Sequence, residues 1–403
     1  MSVLLVGLFT VAAVLWILKS LFAWRYSFTR QDGIQEPAEI QRDLLRGKVF
    51  IDIASVVEFF GLTTTLRLQR AFDRILLPKQ PKDPAIIITD TAFSGVKVRL
   101  YEPKDKQNGG KLPGLIYYHG GGWCTQDVDS LHHVTLHLAK ALGAVVLSIE
   151  YRLAPEYVFP AGLNDCVTAT KHFIQNAERF SVDPARIGVM GDSSGGNLAT
   201  AVLLKLNEES FKHCLKLQVL IYPSTQLFDL HTPSFIKHGH IDKFRLWYIS
   251  RYYSNYLAGN ESLIDGFMKN DQVLNAKVNL GDWLHTYLQN FFEQSELDLS
   301  QLGPFPKSVL RGIGASPGYE NVLNPYVSPL MASDENLKKL PKTFLMICEF
   351  DLVRDEGILY GKRLSEVGVD VQLKYYPLGY HGMLFHSDME MAHDVEGYVK
   401  KNL

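Results

Sequence analysis

The sequence predicts an α/β fold: a mostly parallel central sheet flanked by helices, with a helical cap, preceded by an N-terminal transmembrane helix. Three features lead there. Short, nearly unbroken apolar runs alternate with helix-like stretches, the pattern of strands buried on both faces and joined by crossover helices. A stretch of about 90 residues, Gln226 to Gly314, interrupts that alternation with helical pieces rich in aromatics. The first two dozen residues are almost free of charge.

At the chain average of 21% charged residues, residues 1–24 would carry about five charges, yet Lys19 stands alone. The run Val3 to Leu18 is broken only by Gly7 and Thr10. As a helix it spans about 24 Å, and continuing to Trp24 it reaches about 33 Å, near the hydrocarbon thickness of a bilayer. Lys19 can snorkel to the headgroups, and Trp16 and Trp24 suit an interfacial belt. A cleaved signal peptide is the competing reading, but no basic residue precedes the run and no clear A-x-A site follows it. Lys19, Arg25 and Arg30 on the C-terminal flank, taken alone, keep the following chain cytosolic. The glycosylation sequon Asn260-Glu261-Ser262 argues the other way, since it is used only in the secretory lumen. The expected organisation is a signal-anchor at 1–24, an N-terminal helical or cap segment at 25–95, and an α/β domain at 96–403 with a cap insertion at about 226–314.

After the polar stretch Gln31 to Lys48, helix-like apolar periodicity runs from Val49 to Leu77 and stops before Pro78. Strand-like runs then follow at Val96–Leu100, Leu115–Tyr118, Ala144–Ile149, Ile187–Met190, Leu217–Ile221, Phe344–Ile347 and Val371–Tyr376. His132–Leu142 and Asn164–Arg179 read as helices between them. The 226–314 insertion carries so much apolar surface that it reads as a cap over the sheet edge and not as a separate domain. Forty-one Lys plus Arg against 43 Asp plus Glu leave no basic field to hold a polyanion, which removes the main support for nucleic-acid binding.

The strongest local signal is Gly191-Asp192-Ser193-Ser194-Gly195-Gly196-Asn197, a G-x-S-x-G pattern between the strand-like IGVM and the helix-like NLATAVLLKL. A sharp strand-to-helix turn needs residues without bulk at 191 and 195, and it lifts Ser193 Oγ above the sheet at a helix N-terminus. A hydroxyl at its ordinary pKa needs a base oriented by a third group. Asp351, at the end of the strand-like TFLMICEF, is the candidate acid, with Asp355 as its competitor in the next helix. His381, in the turn after VQLKYYP, is the candidate base, while His386 and His393 fall in the helical stretch beyond it. His119-Gly120-Gly121-Gly122-Trp123 follows the strand-like LIYYH, where consecutive glycines let backbone N–H groups face a cavity. The amides of Gly120, Gly121 and Ser194 are the expected oxyanion donors, with His119 and Gly122 supporting the loop.

These blocks together resemble the hormone-sensitive-lipase-like group of α/β-hydrolases, and within it the arylacetamide deacetylase-like proteins. The resemblance runs from about Leu115 to the C-terminus through HGGGW (119–123), YRLAPE (151–156), GDSSGGN (191–197), EFDLVRDEG (349–357) and YHGMLF (380–385). One departure is Ser194, where that group commonly has alanine; only the backbone N–H is needed there. Arg152 and Glu156 read as structural. The resemblance implies an endoplasmic reticulum membrane location, single-pass type II, with the catalytic domain lumenal. It also implies a disulfide between Cys124 and Cys348, against the alternative of two buried thiols; Cys166 and Cys214 read as core residues.

The expected activity is that of a membrane-anchored serine carboxylic ester hydrolase acting on apolar acyl or aryl esters, with arylacetamides as a further substrate class that has the harder leaving group, and with no metal and no organic cofactor. The expected partners are an apolar ester or lipid substrate and the membrane. Two other readings compete with it: a catalytically silent binding protein on the same fold, and a soluble secreted esterase if the N-terminus is cleaved.

Overall fold

The computed structural model describes residues 49–50, 53–76, 82–105, 110–211, 215–239, 243–274, 299–305, 310, 313–385 and 390–403. The expected transmembrane helix at 1–24, Cys214 and His386 lie outside the described residues. Among the described residues, no helix is long and apolar enough to cross a membrane.

Helix α1 (Thr65–Leu76) leads into β1 (Ile86–Phe93), β2 (Val96–Pro103) and β3 (Leu112–Tyr118). Next come α2 (His132–Leu142), β4 (Val145–Ile149), α3 (Ala161–Gln175), β5 (Val182–Asp192), α4 (Ser194–Glu208) and β6 (Leu215–Ile221). The insertion supplies α5 (Pro233–Gly239), α6 (Lys243–Ala258), α7 (Ile264–Lys269) and the short strands β7 (Val273–Leu274) and β8 (Gly314–Ala315). β9 (Lys342–Phe350), α8 (Arg354–Glu366), β10 (Val371–Tyr380) and α9 (Glu390–Asn402) complete the chain.

Eight strands form one sheet in the order β1-β2-β4-β3-β5-β6-β9-β10. From β4 to β10 all neighbours are parallel; β1 with β2 and β2 with β4 are antiparallel. Every residue of β4 is buried, as the run VVLSI, apolar but for Ser148, requires of a strand covered on both sides. Alternation along the strands divides two cores. Ile116, Tyr118, Val189, Leu220, Leu345 and Ile347 pack with α3, α4 and α8 on one face. Tyr117, Met190, Val219, Ile221, Met346 and Cys348 pack with α2 and α9 on the other.

Three sequence expectations change. The sheet begins at Ile86, ahead of the expected boundary at 96, because a two-residue turn folds β1 back along β2 with Phe93 opposite Val96. Only Ile86 and Phe93 of β1 are buried, so this edge strand lacks the buried-exposed alternation of a half-covered strand, although it opens on Ile86, Ile87 and Ile88. The periodic stretch from Val49 to Leu77 is not one helix. Residues 53–59 are helical, the chain breaks at 60–64, and α1 restarts with Thr64 Oγ1 accepting the Arg67 N–H as an N-cap. Finally, the disulfide between Cys124 and Cys348 is not formed. Both thiols are free and buried. Cys124 belongs to the core on the α3–α4 face, whereas the pleat of β9 turns Cys348 into the core on the opposite face.

Helix α1 is fastened to the loops after β3 and β4. Arg70 donates to both carboxylate oxygens of Glu156 (2.9 and 3.0 Å), to Cys124 O (2.7 Å) and to Ala154 O (2.6 Å). Glu156 of the YRLAPE block thus fixes a helix from outside the sheet, and Arg152 pairs with Asp165. Arg70→Ala removes a forked, partly buried pair, so it should cost about 2 kcal/mol. We expect a fall in Tm of several degrees in thermal unfolding, which Arg70→Lys, lacking the fork, restores only in part.

Candidate functional site

Four loops leave the carboxyl ends of β3, β5, β9 and β10 on the same edge of the sheet, the edge at which parallel sheets present ligand sites. Ser193 stands between β5 and α4 with φ 55° and ψ −121°, outside the ordinary regions for an L residue. A Cβ on Gly195 would run into the carbonyl oxygens of Tyr118 and His119, so the helix can start this close to β3 only with glycine there. The sharp turn that the G-x-S-x-G pattern predicts is therefore present.

His381, one residue beyond β10, faces Ser193 Oγ through Nε2 at 2.8 Å, and its Nδ1 lies 2.8 Å from Asp351 Oδ2. Asp351 follows β9 directly and is buried; its other oxygen accepts the Val353 N–H (3.0 Å). The imidazole side chain is 40% exposed, against 1% for the Asp351 side chain. Burial disfavours its charged form, but the Asp351 carboxylate, assisted by Asp192, outweighs this and holds the imidazole above its ordinary 6.5. Asp355, the competing acid, is committed elsewhere: Arg354 Nε donates to it at 2.8 Å and Ser234 N at 2.6 Å. His393 is exposed beside Glu396.

The glycine loop departs from the expectation in one respect. Gly120 is not an open donor: its N–H is given to Asp192 Oδ1 at 3.0 Å, and the Gly120 Cα packs so closely on that carboxyl that a Cβ would meet Asp192 Oδ2. The N–H groups of Gly121, Gly122 and Ser194 have no acceptor among the described residues, so Gly122 takes the place expected of Gly120. Gly121 has φ 93°, and Cys124 N and Thr125 N close a turn onto its carbonyl. His119 is buried, stacks on Tyr151 at 4.2 Å and has Nδ1 2.9 Å from Gly120 O. Burial pushes its imidazole down to about 4, which fits loop support and not base chemistry. Trp123 does not face an open site; it is 2% exposed and stacked on Tyr256 at 4.3 Å.

Sequence reasoning passed over Asp192 and Tyr117. Burial pushes the Asp192 carboxyl up to about 6 while the Tyr117 hydroxyl, donating at 2.7 Å, and the Gly120 N–H pull it back. The available signal was an acidic residue ending the apolar run IGVMG, since a charge on a buried strand end must find donors. The assembled groups suit covalent catalysis: a hydroxyl with a base at hydrogen-bond distance, an acid behind the base, and open N–H groups beside the hydroxyl.

A profile of the family described as alpha/beta hydrolase fold matches residues 115–270 and 309–385. The chain is 35% identical over 361 residues to arylacetamide deacetylase of Bos taurus, covering 88% of each. It is 37% identical to neutral cholesterol ester hydrolase 1 of Rattus norvegicus, covering 75% of this chain and 76% of that protein. Among solved structures, the hyperthermophilic esterase from the archaeon Pyrobaculum calidifontis superposes with a TM-score of 0.59 at 28% identity, over 83% of this chain and 90% of that one. The chain belongs to the α/β-hydrolase family, in its arylacetamide deacetylase-like group of hydrolytic enzymes.

The site's electrostatics have a direct test. Followed by NMR, with His381→Gln used to assign the resonance, the His381 imidazole should titrate with a midpoint above 6.5. Asp351→Asn removes the charge that raises it and should move the midpoint down.

Proposed function

We propose that this enzyme is a serine carboxylic ester hydrolase acting on apolar acyl or aryl esters, and that residues 1–24 anchor it in a membrane. The observation that carries the reading is the continuous relay Ser193 Oγ–His381–Asp351, with both links at 2.8 Å. The names of its relatives, a deacetylase and a cholesterol ester hydrolase, support it from outside the site.

In this reading Asp351 holds the Nδ1–H tautomer of His381, so that the Nε2 lone pair faces Ser193. Ser193 Oγ attacks the ester carbonyl as Nε2 takes its proton, and the carbonyl oxygen becomes an oxyanion. The N–H groups of Gly121, Gly122 and Ser194 receive that charge; loss of one such donor typically costs about 3 kcal/mol. His381 then protonates the leaving alkoxide, and a water deprotonated by the same Nε2 releases the acid and restores Ser193. An arylacetamide follows the same path with a poorer leaving group. The apolar preference rests on the aromatic cap, the apolar N-terminal run and the relatives.

The lumenal, type II placement in the endoplasmic reticulum is also part of the proposal. Asn260 is exposed in the turn after α6, so its sequon is sterically open to a glycosyltransferase.

Two experiments test these statements. A fluorophosphonate probe should label the folded enzyme and fail to label Ser193→Ala; an unlabelled wild type with a normal melting transition contradicts the serine mechanism. In cells, glycosidase treatment should increase the mobility of the wild type but not of Asn260→Gln, and an unshifted wild type removes the support for a lumenal domain.

A further inference from the structure

The two residues flanking Ser193 each reach across to the glycine loop, and they take its opposite ends. Asp192, the last residue of β5, accepts the Gly120 N–H at 3.0 Å. Ser194, the first residue of α4, accepts the Trp123 N–H through its hydroxyl at 3.2 Å. Between these fixed points lie Gly121 and Gly122, whose N–H groups have no acceptor among the described residues.

The carbonyl side of the loop is fixed separately. Tyr151 Oη donates to His119 O (2.8 Å) and Gly120 O (3.3 Å), and Thr125 Oγ1 donates to Gly121 O (3.0 Å). Those contacts orient the loop relative to its own surroundings. The Asp192 and Ser194 contacts instead refer it to the nucleophile, because both side chains grow from the backbone on either side of Ser193. Both residues are 1% exposed, so water does not compete for these bonds. The Asp192 carboxyl is itself held by Tyr117 Oη from β3. An oxyanion donor displaced by even half an ångström from the developing charge loses much of its effect.

We propose that Asp192 and Ser194 are positioning residues for ester hydrolysis, clamping the glycine loop at 120 and 123 so that the Gly121 and Gly122 N–H groups are held against the oxyanion formed at Ser193. The proposal rests on the serine hydrolase reading above. It gives the Ser194 hydroxyl a use that alanine at this position could not serve, beyond the backbone N–H that either residue provides.

The test compares wild type, Ser193→Ala, Ser194→Ala, Asp192→Asn and Asp192→Ala, using p-nitrophenyl butyrate as substrate and an alkyl trifluoromethyl ketone as a probe that forms a tetrahedral oxyanion on the serine. Ser194→Ala removes the acceptor of the Trp123 N–H and the hydroxyl's side-chain hydrogen bond with Tyr151, so kcat should fall about threefold to tenfold with KM within about twofold. The ketone's inhibition constant should rise by the same factor as kcat falls, with Tm nearly unchanged, because the loss is confined to the transition state. Asp192→Asn keeps an acceptor oxygen for Gly120 and should retain at least about tenfold more activity than Asp192→Ala, which leaves the Gly120 N–H and Tyr117 Oη unpaired. Should Asp192→Ala not fold, Ser194→Ala alone decides. Wild-type kcat and ketone affinity in Ser194→Ala overturn the clamp, as do losses in kcat and KM that merely follow a fall in Tm. The underlying reading fails differently: Ser193→Ala would then hydrolyse the ester at the wild-type rate.

Discussion

Ser193 sits in a backbone conformation that costs an L residue about 1–3 kcal/mol, and the architecture around it is what keeps it there. Its N–H is given to Ile221 O at 2.8 Å on the neighbouring strand, and its carbonyl accepts from Asn197 N and Ser224 N, both at 3.2 Å. The turn is so tight that a Cβ on Gly191 would collide with the backbone of Gly195. These bonds require β5 between β3 and β6, with the loops of both strands against the elbow. The parallel sheet, the two glycines and the glycine loop are therefore consequences of a single constraint: a hydroxyl held proud of a sheet edge at a helix start.

The acid side of the site is held by charge. All five ionisable residues of the EFDLVRDEG block are buried. Arg354 donates to Glu349 (2.7 Å) and Asp355 (2.8 Å), and Lys237 from α5 reaches Glu349 at 2.8 Å. Although burial acts against it, these cations hold the Glu349 carboxyl down at about 2. Ser234, also on α5, donates its N–H to Asp355 and its hydroxyl to Leu352 O. Glu356 accepts from Thr225 N and Gln226 Nε2 just beyond β6. Buried ion pairs add little net stability, but an arrangement that separates one leaves an uncompensated buried charge and is strongly disfavoured. Here the arrangement they select joins the first helix of the insertion to the loop that carries Asp351, so cap and acid are positioned together.

This division explains what was legible in the sequence. Strands buried on both faces, such as β4 and β6, announce themselves as nearly continuous apolar runs, and Ser193 and Asp351 each follow such a run directly, whereas His381 follows the partly exposed edge strand β10. Whatever depends on partners distant along the chain left a weaker trace. The edge strand β1 has two buried residues out of eight; its opening Ile86, Ile87 and Ile88 are a short signal, and its extent is set by pairing with β2. Gly120 and Gly122 are indistinguishable as letters. Which of them is occupied depends on the carboxyl of Asp192, 72 residues away. The mispaired Cys124 and Cys348 have the same origin: both lie near one end of the sheet, but the pleat parity of β9 assigns them to different faces.

Asp192 marks where stability and function part. A carboxyl raised to about 6 prefers its protonated form in the fold, and that contribution is lost as pH rises through 6. At neutral pH the ionised group is held in the interior against a penalty on the order of 3 kcal/mol relative to the unfolded chain. A neutral side chain of the same shape would lighten that penalty. The ionised form, however, is a stronger acceptor for the Gly120 N–H, and its charge helps to raise the His381 imidazole. One buried negative charge thus acts on both sides of Ser193, on the loop beside it and on the imidazole in front of it. In the proposed mechanism such a group lowers the stability of the resting fold while improving the arrangement that the reaction requires, which is the relation expected where polar groups are preorganised for a charged transition state.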